Sequence, residues 1–315
     1  MSYHQAYEFL ALTRPLDSAA QASVRAVSSH GSVSPARFAV SYDWSELRVS
    51  ANDLLARHFD LLLVRAPGFA RLAIKVPAAL IDAATEALYL AEDLQVVTRR
   101  GDQTLLSWQL ESDEGGWVND DEVAAEASDL AAVHAALIAG ELWPLYLGWL
   151  AGLEGFDDNN NDDDDESEPP VPAGLSADDP ACRALAAFLR CDADLVAASA
   201  EASPRSSPHD QQSFAKAWLA EAPIADKDAA LADLLVGGSG EALGDVRRRF
   251  ALDRRQALAA PAEARRSVAS LRQRASVLRV ARKNTEAAEA ARARAAHLDR
   301  VAQSAPALLA EVLRL

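Results

Sequence analysis

The sequence predicts an α+β N-terminal domain, a mostly antiparallel sheet with helices on one face, followed by an all-α region ending in a long helical hairpin. Three observations carry this expectation. Within residues 1–118, short period-two apolar runs alternate with helical ones, and two pairs of strands are separated only by turn residues, Ala66-Pro67-Gly68 and Gly101-Asp102, which forces antiparallel pairing. From Asp120 onward no strand pattern remains. From Ala262 to Ala305 there is neither Gly nor Pro, and at 1.5 Å per residue that stretch makes a rod of about 65 Å.

The elements follow in order. Tyr7–Leu12 reads as a strand, and Ser18–Ser29 as a helix with Asp17 as N-cap. Arg37–Tyr42 alternates as a strand, and Ser50 caps a short helix to His58. Leu61–Arg65 and Arg71–Val76 make one hairpin; Leu94–Arg99 and Thr104–Glu111 make another, with helical Pro77–Tyr89 between them. Glu122–Ala139 and Leu142–Leu153 are helical, broken near Gly140 and Pro144. Shorter helices are expected at Asp179–Leu189, Ala193–Ala202, Asp210–Glu221 and Asp226–Val236, with Gly237–Gly240 as caps. Glu241–Ala259 opens the hairpin, Pro261 sits in the first turn of the next helix, and Lys283-Asn284-Thr285 is the expected place of a break. Val268, Leu271, Ala275 and Leu278 hold a 3–4 spacing, but Arg282 and Arg292 fall on the seam, which argues against a long coiled coil.

These elements divide the chain into an α+β domain (1–118), a helical pair packed on it (119–154), an acidic Asp/Asn/Pro linker (155–174), a small helical domain (175–240) and an Arg/Ala-rich helical hairpin (241–315).

Charge is distributed unevenly along this order. Between Gly101 and Cys182 there are 82 residues with no Lys or Arg and 21 Asp and Glu. Residues 241–302 reverse the sign, with 15 basic against 7 acidic side chains, while the whole chain has a net charge of −16. Such polarity steers partners or clamps the chain onto itself. Two cysteines, Cys182 and Cys191, are too few to staple a chain of this size and suit a reducing, cytoplasmic setting. The N-terminus lacks the basic and apolar regions of a signal peptide. Ala131–Leu153 imitates a membrane span but contains His134, Glu141 and Pro144 between acidic flanks, so two buried helices are expected and no membrane span.

Metal and cofactor signals are weak. Asp157, Asn159, Asn161, Asp163, Asp165 and Glu168 occupy positions 1, 3, 5, 7, 9 and 12 of an EF-hand-like loop, but Asp162 stands where Gly is needed, so a solvated tether with nothing to anchor it to a core is the expectation. The cysteines have no second pair with which to build a zinc site. The glycines of 238–244 follow a helix with the wrong spacing for a phosphate loop. The scattered histidines form no catalytic motif, so no catalytic residue, cofactor or metal ligand is assigned.

The basic helices are the strongest candidate site. Arg247, Arg248, Arg249, Arg254, Arg255, Arg265, Arg266, Arg272 and Arg274 present guanidinium forks that match carboxylates or phosphates. Aromatics for base stacking are absent there except Phe250, so a protein partner is favoured over nucleic acid.

Several segments also resemble one family of bacterial proteins: YEFLALTRPL (7–16), RAVSSHGSVSPARF (25–38), LWPLYLGWLAG (142–152), EPPVPAGL (168–175) and ALAAFLRCDADLVAASAEAS (184–203). That family shares a Y-E-F-x-A-x-x-R-P-L start, a P-P-V-P-x-G-L joint and an Arg/Ala-rich helical tail. The resemblance carries no activity, and it implies a SWIM zinc-finger protein as partner. It also implies a chain that runs on past the equivalent of Leu315.

The functional expectation is a non-enzymatic cytoplasmic adaptor or scaffold that docks a protein partner through the basic hairpin. The alternatives are a nucleic-acid-binding protein using the same helices, or an enzyme with a site between the α+β domain and helices 120–153, near Tyr7, Glu8, Arg14, Trp44, Trp143 and Tyr146.

Overall fold

A computed structural model describes residues 4–91, 94–111, 118–153, 166–204, 208–236, 241–258 and 265–312. The order is β1 (His4–Leu10), α1 (Ser18–Arg25), β2 (Ser32–Val33), β3 (Arg37–Asp43), α2 (Ala51–His58), β4 (Leu61–Ala66), β5 (Phe69–Pro77), α3 (Ala83–Tyr89), β6 (Gln95–Arg100), β7 (Gln103–Glu111), α4 (Asp120–Ile138), α5 (Trp143–Gly152), α6 (Pro180–Phe188), α7 (Ala193–Ala200), α8 (Pro208–Glu221), α9 (Ile224–Val236), α10 (Glu241–Leu258) and α11 (Val268–Val312). The strands form one sheet in the order β2-β3-β1-β4-β5-β7-β6, antiparallel throughout. An antiparallel sheet followed by a helical region ending in a long helix is therefore the architecture.

Local chemistry sets the boundaries. Asp17 and Ser50 cap α1 and α2 by accepting from Ala20 N and Asp53 N. Gly68 and Gly101 turn the two hairpins at φ of 75° and 63°. The expected Pro77–Tyr89 helix is instead a 3-10 turn at Ala78–Leu80 followed by α3, whose N-cap is Asp82.

Helices cover both faces of the sheet, not one. The unbroken apolar run of β4 is the physical reason, because a strand with alternate residues buried on each side has no solvated face. Leu62 and Val64 join Phe9, Phe38, Phe59 and Leu55 in one core under α1 and α2. Leu61 and Leu63 join Leu72, Ile74, Trp108 and the apolar sides of α4 and α5 in another. This second core continues without a break into α6, α7, α10 and the start of α11 through Leu185, Val196, Ala251, Val268 and Leu271.

Gly140 organises the turn between α4 and α5. It takes a φ of +81°, and Glu141 N bonds back to Ala136 O at 3.0 Å, so α4 ends in a Schellman turn. With Pro144 in the first turn of α5, the two helices bend by 116°. Residues 143–150 of α5 are all buried. No single helix among the described residues is long and apolar enough to cross a membrane.

α11 runs through Lys283-Asn284-Thr285 without a break. Thr285 Oγ1 bonds back to Ala281 O at 3.1 Å, so its hydroxyl is satisfied inside the helix. The expected caps at Gly237–Gly240, Pro261, and the loop residues Asp157 to Asp165 lie outside the described residues.

Candidate functional site in the basic helices

The end of the acidic run is anchored, contrary to the solvated tether. Glu168 N bonds to Arg266 O and Val268 N bonds to Glu166 O, both at 2.9 Å, with Ser167 and Ser267 bridged between them. This short ladder places Glu168 against the core, 2% exposed. Its carboxylate takes a two-pronged contact from Arg266, with Nη2 at 2.9 Å from Oε1 and Nε on Oε2. The Tyr146 hydroxyl sits on the same Oε1, and Ser199 Oγ lies 2.8 Å from that hydroxyl. Arg266 Nη1 donates to Ala198 O at 3.0 Å, so the fork and the carboxylate are both satisfied. Burial works against the Arg266 cation, but the bonds it donates to Glu168 hold its pKa above the usual value. Burial, and then the Glu168 charge, push the Tyr146 hydroxyl well above the usual tyrosine range. It remains a neutral donor.

Further along α11, Arg274 pairs with both oxygens of Glu201 at 2.7 Å. One turn on, Arg279 and Arg282 converge on the N-terminus of α7. Asp192 is its N-cap, accepting from Asp194 N at 2.7 Å, and also takes Arg279 Nη2. Asp194 takes Arg279 Nε at 3.2 Å and Arg282 at 2.9 and 2.7 Å. Hydrogen bonding from Arg282 holds the Asp194 carboxyl below the usual range, with burial opposing. Arg272 donates to Leu153 O at 3.4 Å.

α10 is held by a different set, on α9 and the α4–α5 turn. Arg249 reaches Asp226 at 2.6 Å, Arg248 pairs with Asp245 one turn back on α10, and Arg254 lies 3.8 Å from Glu141. Arg255 donates to two backbone carbonyls, Gly140 O at 3.0 Å and Leu80 O at 2.9 Å. The close approach needs Gly140, because a Cβ there would stand 2.7 Å from Ala251 Cβ.

The nine arginines singled out from the sequence therefore fall into three groups. Arg248, Arg249, Arg254, Arg266 and Arg274 meet carboxylates, and Arg255 and Arg272 meet carbonyls. Arg247 and Arg265 are exposed and make no ion pair among the described residues. The acidic partners Glu168, Asp192, Asp194, Glu201 and Asp226 were not singled out as partners. The one local signal was the Asp192-Ala193-Asp194 cap sequence, where a second acid follows the N-cap.

The residues considered for an enzyme site are spread apart. Tyr7 and Glu8 are neighbours on β1 and face opposite sides of the sheet, with Glu8 buried in a two-pronged pair with Arg37. Arg14 and Trp44 are exposed, whereas Trp143 and Tyr146 are buried in α5. Among the described residues, no group of three or more His, Cys, Asp or Glu is placed to hold a metal ion. Cys182 and Cys191 form no disulfide among the described residues, and burial pushes the Cys182 thiol up to about 12.

Two concavities stand out. One of 620 Å³ lies between the β4–β5 turn, α4 and α6, and its Arg65 and Glu126 neutralise each other. Another of 240 Å³ lies between α3, the α4–α5 turn, the Pro170–Ala173 joint and α10. The chain matches no protein-family model, no curated protein and no solved structure.

Proposed function

We propose that the protein is a non-enzymatic adaptor whose last helix is a docking element for an acidic protein surface. The observation that supports this reading is the change in α11 at Arg282. Up to that residue the arginines are tied to α7 and to the joint at Glu168. Beyond it, residues 283–301 are exposed throughout, and Lys283, Arg292 and Arg294 meet no carboxylate among the described residues. Leu298 and Val301 are exposed on the same stretch, 66% and 49%, an apolar pair that a partner helix would cover. Its alanines let another backbone approach closely.

The internal arginine pairs redefine the role of the charge split. They clamp the basic segment to the acidic half and leave the far part of α11 for the partner. Nucleic acid is less favoured, since most of the singled-out arginines already face carboxylates or carbonyls and few are left for phosphates. The test compares partners captured, in the native cell, by the full chain and by a chain ending at Arg282. The reading expects the partner to be lost with the rod while the remaining body keeps its unfolding transition. An unchanged partner set on the shortened chain contradicts it.

A further inference from the structure

We propose that the 240 Å³ cavity between α3, the α4–α5 turn, the Pro170–Ala173 joint and α10 is a binding site for a small apolar monocarboxylate. The inference rests on Arg255 and is independent of the docking role of α11. Leu88, Leu142, Val171, Ala251 and Leu258 supply an apolar lining. Into this lining Arg255 brings a guanidinium with no carboxylate in ion-pair reach among the described residues. Its bonds go to Gly140 O and Leu80 O, which use Nε and one side of the fork and fix its plane. Nη2 makes no hydrogen bond among the described residues. A cation half withdrawn from water gains from an anion that joins it, and burial lowers the Arg255 pKa, with Asp82 and Tyr89 acting only through space.

The other charged groups at the cavity are Arg254 and Glu141. They face each other at 3.8 Å, and the other oxygen of Glu141 accepts the Trp143 indole N–H at 2.8 Å. That leaves the site with two cations and one anion that is already engaged. The Tyr89 hydroxyl donates to Pro170 O at 2.7 Å and is engaged there. Among the described residues, an incoming carboxylate would therefore find the open Nη2 edge of Arg255 and an apolar wall, with Thr85 the one further polar side chain of the lining. The volume lies below the roughly 300–1,000 Å³ of drug-sized pockets, so a short acid of about ten non-hydrogen atoms fits.

Titration calorimetry with sodium octanoate, octan-1-ol and octylamine tests the assignment on the full chain. Octanoate is expected to bind at one site at millimolar concentration or below, with octanol weaker by about tenfold or more, because charge-assisted hydrogen bonds are the larger part of recognition. Octylamine is expected not to bind. Arg255→Gln should weaken octanoate by about tenfold or more and leave octanol unchanged. Because Arg255 also braces Gly140 and Leu80, a second variant, Leu88→Glu on the exposed rim, adds a like charge at the mouth without touching that brace. It should weaken octanoate severalfold. Equal binding of octanoate and octanol, octanoate binding indifferent to both variants, or no saturable octanoate binding at millimolar concentration each overturns the assignment.

Discussion

Arg266 closes both oxygens of Glu168, 98 residues away along the chain, in a buried fork completed by the Tyr146 hydroxyl. This contact joins the last acidic residue before the Pro-rich joint to the start of α11. It therefore fixes the first turn of the long helix against α5 and α7. Removing one member of such a pair is worse than removing both, because the survivor stays buried without a counter-charge. Glu168→Gln is expected to cost about 3 kcal/mol in urea unfolding, and the double change Glu168→Gln/Arg266→Met distinctly less. A double variant less stable than Glu168→Gln alone contradicts the account of the fork.

The α4–α5 turn admits no side chain at Gly140. Its positive φ strains any residue other than Gly, and the Cβ would press on Ala251 of α10. Gly140→Ala is expected to destabilise by about 2–3 kcal/mol, read from the denaturation midpoint. Proteolysis of α10 should speed up in parallel. Gly244, also on α10, has open space around its Cβ position, and Gly244→Ala should be neutral or slightly stabilising.

Two histidines give the stability opposite pH dependences. His4 is raised above 6.5, first by its bond to Asp120 and then by that to Asp43. Its contribution is complete below pH 6.5 and is lost as the pH rises through the higher folded value. His134 is lowered from 6.5, chiefly by burial. Its neutral form is the folded one, so its contribution is present above pH 6.5 and fades as the pH falls toward the depressed folded value. His4→Gln should lower the melting temperature at pH 5.5 and approach the parent at pH 9. His134→Gln should relieve part of the loss of stability between pH 6.5 and 5. Parallel pH profiles for parent and both variants would falsify the assignment.

Most elements were legible in the sequence because their signals are local. The caps Asp17 and Ser50, the turn glycines Gly68 and Gly101, and the 3.6-residue spacing of α4 act within a few residues. The second covered face of the sheet was also written in Leu61–Val64, an apolar run with no polar alternation. What was not legible is non-local. Glu168 ends an acidic run and is locally indistinguishable from its neighbours, yet it is buried because Arg266 reaches it across 98 residues. The same holds for Asp194, whose two arginines lie 85 and 88 residues away. The charge split left steering of a partner and clamping of the chain onto itself both open, and it could not say which arginine meets which acid. Nor could it separate the clamped part of α11 from the free part, since arginines occur on both.

Asp194 is the hinge of that distinction. Asp194→Asn leaves the α7 cap at Asp192 in place but removes the charge that Arg279 and Arg282 share. It is expected to raise amide exchange in the α11 turn around 279–286 while leaving the turn at 268–272 protected. Unchanged exchange at 279–286 would show that the arginine contacts do not hold the helix.

The most direct test is amide hydrogen exchange along α11 of the full chain without a partner. Residues 268–282, packed on the core and tied to Glu201, Asp192 and Asp194, should exchange slowly. Residues 286–301, exposed on every side, should exchange orders of magnitude faster, since an unsupported helix opens readily. A boundary near Arg282 is the expected result, and uniform slow exchange from 268 to 301 would contradict a base clamped to the core and an exposed far stretch without such support.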